Sequence, residues 1–114
     1  MRFELLRRLI EERRRTELER RERMRREVLE KTIAALRERL RDEEVKSVYI
    51  FGSLLREGKF YDFSDIDIAV EGFRGDIWEL GSELERSLGR DVDLIRLEKS
   101  GLKRMIEERG LRVI

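Results

Sequence analysis

The stretch VKSVYIFGSLLREGKFYDFSDIDIAV, residues 45–70, decides how the rest of the chain is read. Val48 to Phe51 is a run of β-formers that stops abruptly at Gly52-Ser53. A short loop later, a second apolar run carries Asp65 and Asp67, two residues apart. In a strand such positions share a face, so the two carboxylates sit side by side while Ile66, Ile68 and Val70 face the other way. Like charges held together repel, and folding alone gives little reason to place them there. A divalent cation supplies one, because it neutralises both and takes oxygen ligands.

Composition narrows the chemistry. The chain has 114 residues, enough for one domain with an appendage. It contains no Cys and no His, which excludes disulfides, thiolate metal sites, the commonest general base and the usual zinc ligands. Any metal must be held by carboxylates, which favours Mg²⁺ or Mn²⁺. Charged residues make up 46% of the chain, yet the net charge is only +1. Residues 1–44 hold 15 basic and 12 acidic side chains, and residues 45–114 hold 12 and 14, so neither part is a nucleic-acid magnet by charge. No apolar run is long enough to span a bilayer and no signal-peptide pattern opens the chain, so a cytoplasmic protein is the plain reading. Absence of Asn, Gln and Cys beside abundant Arg and Glu resembles the surface of a thermophile's protein, although the absence of Pro does not.

Working outward, residues 1–42 read as one long helix or two collinear ones, without Gly or Pro and rich in helix formers. Phe3, Leu6, Leu9 and Ile10 form one apolar stripe, and Leu29, Ile33, Leu36 and Leu40 form a second, suited to lying on a sheet. Between them, residues 11–27 are charged at 14 of 17 positions, so this middle is expected to be solvated and supported by pairs such as Glu11–Arg15 and Glu19–Arg23. The plain reading is a solvent-exposed helix; the sharper one is an arm that contacts a partner or a second subunit through Phe3–Ile10.

A turn is expected at Asp42–Glu44, then strands at 45–51 and 65–71 separated by a short helical turn and a loop. A helix over 76–88 follows, capped by Asp76 and stopped by Gly89. A third strand over 91–97, a last helix over 100–108 and a short edge strand at 111–114 complete the chain. This order predicts an α/β (α+β) fold, a small mixed sheet of three or four strands covered by helices. The division is a long charged helix, 1–44, and a compact domain, 45–114.

Asp93 joins Asp65 and Asp67 as a candidate, because it lies among apolar neighbours on the third strand, where an unpaired charge is expensive. Three carboxylates from two adjacent strands would form an oxygen-only cage for two divalent ions, suited to in-line displacement at phosphorus. Gly52 lets a phosphate approach the backbone, and Ser53 offers a hydroxyl and an amide at the start of a helical turn. Asp91 shares Asp93's face and is its rival. Arg90 and Arg96 are expected to pair with neighbouring acids, and Trp78 and Phe73 to serve as core or rim aromatics.

The combination Phe51-Gly52-Ser53, Ser64-Asp65-Ile66-Asp67 and Val92-Asp93-Leu94 resembles the minimal nucleotidyltransferases of the polymerase-β-like superfamily, over roughly residues 45–114. The resemblance implies Mg²⁺, a nucleoside triphosphate substrate, usually ATP, and transfer of its nucleoside monophosphate to an acceptor hydroxyl. By the same resemblance, Gly52 and Ser53 hold the triphosphate, Arg56 contacts phosphate, and Asp65 and Asp67 bind two metal ions. Asp93 completes the nucleophile-side metal and helps deprotonate the acceptor; the Val-Asp-Leu pattern favours it over Asp91. Eleven residues separate Ser53 from Asp65, one more than is usual, and Glu57, next to Arg56, looks like the additional one.

Stand-alone members of this size resemble antitoxins that modify a tyrosine of a HEPN-type toxin with AMP. Two alternatives stand beside that reading. One is a partner-binding module that keeps the fold without catalysis. The other is a transferase for a small molecule such as an aminoglycoside, for which some 70 residues after Val45 leave little room for an acceptor pocket.

Overall fold

A computed structural model describes residues 2–114. Among them, three helices accompany one mixed sheet whose strands lie in the order β3-β2-β1-β4. These are β1 (Ser47–Phe51), β2 (Ile66–Glu71), β3 (Val92–Arg96) and β4 (Leu111–Arg112). β1 runs antiparallel to both β2 and β4, whereas β2 and β3 are parallel and joined through helix α2 (Ile77–Leu88). The expected element order holds. The last helix, α3 (Lys103–Arg109), begins later than its sequence suggests, because Leu97–Lys99 first forms a 3₁₀ turn.

Alternation along β2 builds two unequal layers. Ile66, Ile68 and Val70 are fully buried, together with Val48 and Ile50 of β1, under Leu80 and Leu84 of α2 and Leu36 and Leu40 of the N-terminal helical region. Each such side chain contributes about 1.5–3 kcal/mol by leaving water. On the opposite face Tyr49 and Ala69 are covered by Leu97 and by Ile106 of α3. On that face Asp67 is only half-buried and Asp93 is exposed.

Local chemistry fixes the ends of α2. The Asp76 carboxylate accepts the N–H groups of Trp78 and Glu79 at 2.9 and 3.3 Å, satisfying two donors of the first turn. Gly89, left-handed at φ 64°, ends the helix by donating its N–H to the Glu85 carbonyl.

Helix α1 spans Arg2–Arg39 without a break, and the protein extends 65 Å along its longest axis. Residues 2–19 are exposed throughout, with Phe3 84% accessible. Beyond them the structure corrects the expectation of a solvated middle. From Arg20 to Arg25 the helix touches the body: Arg20 pairs with Asp62 at 3.0 Å, and the Arg21 guanidinium lies 4.4 Å from the Tyr61 ring centre. The anticipated pairs Glu11–Arg15 and Glu19–Arg23 are not formed among the described residues; the pairs are Glu17–Arg20 and Glu22–Arg25, one turn apart. Long charged side chains cover surface with their stems while their heads stay polar, so a charged run can still be a packed one.

Candidate active site

The site grows from the end of β1. Phe51 faces Asp67 across the ladder, and the chain then turns through Gly52 at φ +79° into a 3₁₀ turn, Gly52–Leu55, anchored by buried Leu54. A side chain at position 52 would be strained by that backbone and would fall within the Asp67 carboxylate, its Cβ 3.1 Å from Asp67 Cγ and nearer still to Oδ2. Glycine is therefore required twice over, by conformation and by the carboxylate against it. Ser53 is half-buried beside Gly52, and its carbonyl accepts the Arg56 N–H at 3.0 Å.

The parallel register sets Asp67 directly opposite Asp93. Asp65 stands immediately before β2 and is exposed, as is Asp91 immediately before β3, whose carbonyl accepts the Ile66 N–H at 3.0 Å. Burial, with the negative charges of Asp93 and Asp65 adding to it, pushes the Asp67 carboxyl up to about 6. Among the described residues no three acidic side chains are gathered closely enough to chelate one ion as they stand. The fit to a hard divalent cation therefore rests on the all-oxygen donors, on the β2–β3 register and on the unrelieved negative field at Asp67. On those grounds the residues fit.

The supporting shell was hidden in the charged run. Arg25 donates to the Leu54 carbonyl at 3.1 Å and pairs with Glu22 at 2.8 Å, while Glu22 accepts the Gly58 N–H at 2.8 Å. The pair spans the turn that carries Ser53, and hydrogen bonds from Arg25 and then Gly58 hold the Glu22 carboxyl below its usual range. Only the i,i+3 spacing of Glu22 and Arg25 could have hinted at this. We expect Arg25→Ala to lower the unfolding free energy by about 1–3 kcal/mol in urea denaturation, because it leaves a carbonyl and a mostly buried carboxylate unpaired. An unchanged midpoint would mean that the clamp is ornamental.

Arg90 and Arg96 do not pair with acids, as expected of them, but bind backbone carbonyls. Arg90 reaches Ser64 at 2.7 Å and Tyr61 at 3.3 Å and lies over the Phe60 ring, so it fixes the residue preceding Asp65. Arg96 bonds the carbonyls of Phe73 and Gly75. The carbonyls supply partial charge where the loops leave orphan acceptors, and the sequence carries no pattern for that. Arg56 is exposed and makes no side-chain hydrogen bond or ion pair among the described residues. Glu57, beside it, lies exposed in a turn closed by the Lys59 N–H on the Arg56 carbonyl. Phe73 is buried as expected; Trp78 is not core at all, being 83% exposed.

The fold and the paired carboxylates define a class. Residues 30–114 match the family model described as polymerase beta, nucleotidyltransferase, and the chain belongs to that family. Among solved structures it is similar to a toxin–antitoxin with AMP-PNP, at 31% identity and TM-score 0.62, covering 72% of each chain. It is similar as well to the MntA–HepT toxin–antitoxin, at 28% identity and TM-score 0.56, covering 73% of this chain and 69% of that one. A mutant of that toxin–antitoxin gives 28% identity and TM-score 0.60, over 72% and 71%. No curated protein matches. Among the described residues no helix is long and apolar enough to cross a membrane.

Proposed function

We propose that this protein is a nucleotidyltransferase antitoxin that transfers AMP from ATP to a hydroxyl, a tyrosine in particular, of a HEPN-type protein partner. The observation that carries the reading is Asp67, set opposite Asp93 and pressed against a glycine that tolerates no side chain. The similarity to toxin–antitoxin structures, one holding AMP-PNP, supports the nucleotide and the partner. Asp65, Asp67 and Asp93 would hold two Mg²⁺ ions, which supply charge neutralisation for the attacking and leaving oxygens. Gly52 and Ser53 bind the triphosphate through the bare backbone and the hydroxyl of the turn, and Arg56, free at the end of that turn, reaches toward phosphate. Asp93 accepts the acceptor's proton. The exposed arm of α1, residues 2–19, is the element that contacts the partner or a second copy.

Incubation with ATP labelled at the α-phosphate, Mg²⁺ and the protein encoded by the neighbouring gene tests this reading. Label is expected on the partner with the wild type and not with Asp65→Ala/Asp67→Ala. If the double variant neutralised the partner as well as the wild type does, without nucleotide, the non-catalytic reading would replace this one.

A further inference from the structure

We propose that the acceptor protein docks in the corner where the arm of α1 leaves the body, against the underside of the arm and the stacked rings of Tyr61 and Phe63. The inference rests on the transferase reading above and names the surface that reading uses.

Helical phase fixes which way the arm faces. At about 3.6 residues per turn and 1.5 Å per residue, positions 18 apart in a helix share a direction and lie roughly 27 Å from each other. Phe3, Leu6 and Ile10 therefore project from α1 in the directions of Arg21, Met24 and Val28. Those three face the body: the Arg21 guanidinium lies over the Tyr61 ring, and Met24 and Val28 pack against the core. The arm has no body beneath it, so its apolar stripe overhangs the flank at which Tyr61 lies. The match to the family model begins at residue 30, so the arm is an addition to the matched domain.

The loop at the foot of the arm is built to hold a ring outward. Phe63 is 83% exposed, yet its ring stacks on Tyr61 with 5.3 Å between centres and 8° between planes, and Arg21 backs Tyr61 from behind. The turn that carries the pair is closed from both sides. The Tyr61 N–H donates to Ser64 Oγ at 2.9 Å and the Ser64 N–H to the Tyr61 carbonyl at 3.1 Å. An aromatic already fixed in place loses little freedom on binding, which suits an interface anchor. Of the eleven large apolar side chains left exposed among the described residues, six lie on the arm and two are Tyr61 and Phe63. Uncovered apolar surface is gathered on the arm and at its foot, which marks a contact surface.

This corner runs into the site. Arg13, Arg14, Leu18 and Arg21 line a hollow of about 410 Å³ where the arm begins. Phe63, Asp65 and Asp91 line another, of about 220 Å³, at the end of the sheet where β2 and β3 start. The stack of Arg21, Tyr61 and Phe63 joins the two. A protein seated in the corner therefore meets Asp65, the outermost of the three site carboxylates. Charge describes that protein further. The hollow under the arm is basic, and its one acid, Glu17, is already paired with Arg20 at 2.7 Å. The hollow at the sheet end is acidic, because the Arg90 guanidinium is engaged with backbone carbonyls and leaves Asp65 and Asp91 unpaired among the described residues. The surface that fits is apolar, acidic toward the arm and basic toward the site. A second copy of the chain is the rival occupant, but it would close off Asp65, where the acceptor has to enter.

The test uses the full chain and the protein encoded by the neighbouring gene, and reads the Kd between them, which needs no catalysis. Leu6→Glu/Ile10→Glu charges the stripe in a segment that is exposed throughout and keeps good helix formers there. Phe63→Ala removes the exposed ring. Each is expected to raise that Kd at least tenfold, while the Kd of a non-hydrolysable ATP analogue stays within twofold and the melting temperature hardly moves. An unchanged partner Kd in either variant would overturn the proposal, as would failure of the wild type to bind that protein. Sedimentation of the chain alone checks the rival. A wild-type dimer that becomes monomeric in Leu6→Glu/Ile10→Glu would give the stripe to a second copy and overturn the proposal too. If the wild type binds its partner with the expected sensitivity but transfers no label, the transferase reading fails and the docking surface stands.

Discussion

Asp67→Asn is expected to make the protein more stable at pH 7.5 and to abolish transfer. The Asp67 carboxyl is pushed from 3.8 to about 6 by burial and by Asp93 and Asp65, so in the folded protein its ionised form is the disfavoured one. The sign follows from linkage. A group whose folded value lies above its unfolded value stabilises fully below the unfolded value, and that stability is lost as the pH rises through the folded one. Here the window runs from about pH 4 to above pH 6. The loss at pH 7.5 is roughly 1–2 kcal/mol, discounted because the group is only half-buried. Asparagine has nearly the same shape and no charge, so it avoids that loss, and the melting temperature without divalent ions should rise by several degrees. Mg²⁺ should raise the melting temperature of the wild type and leave Asp67→Asn unmoved, since the variant lacks the charge that attracts the ion. An Asp67→Asn protein less stable than the wild type at pH 7.5 would show that the carboxylate is held by favourable contacts and not in spite of repulsion.

This opposition of stability and function is also why the site was legible in the sequence. Asp65-Ile66-Asp67 reads as a strand because its apolar positions alternate, and the acids stand out because nothing in folding asks for them. α2 was legible through its ends, Asp76 and Gly89, and its buried residues Leu80 and Leu84. Other features were not, and the reasons differ. Arg25, Arg90 and Arg96 all bind backbone carbonyls, and every residue carries a carbonyl, so no spacing marks the target. In residues 11–27, 14 charges hide which ones touch the body, because periodicity registers apolar side chains and Arg21 packs on Tyr61 through its guanidinium. Trp78 misled for the opposite reason: an aromatic beside Ile77 looks like core, and only the rotation of α2 on the sheet turns it outward.

The N-terminal helix ties these points together. A helix standing alone in water is marginal at the length of residues 2–19, and its i,i+4 pairs add only about 0.2–0.5 kcal/mol each. Its continuation is fastened to the turn that carries Ser53 and to the loop that follows it, through Arg25 on Leu54 and Arg20 on Asp62. The helix that carries the arm is therefore joined to the segments that carry Ser53 and Asp65.

Gly52→Ala should cost more than the same change at Gly58, the other glycine of this loop with a left-handed backbone, and a double-mutant cycle can say why. Alanine at φ +79° is strained by about 1–2 kcal/mol wherever it occurs. Gly58, at φ +75° with nothing within 4 Å of an added Cβ, supplies the control, because Gly58→Ala bears only that conformational term. At position 52 the methyl group also collides with the Asp67 carboxylate, so Asp67 or the end of β1 must move. A shift on the order of 1 Å in a reacting constellation can lower rates about a hundredfold, and label transfer should fall by at least that much. If the collision is the cause, Asp67→Ala relieves it, and Gly52→Ala in that background should destabilise no more than Gly58→Ala does. Equal costs of Gly52→Ala in both backgrounds, read by urea denaturation, would place the penalty in the backbone alone. The glycine of the Gly-Ser pair would then serve only the turn.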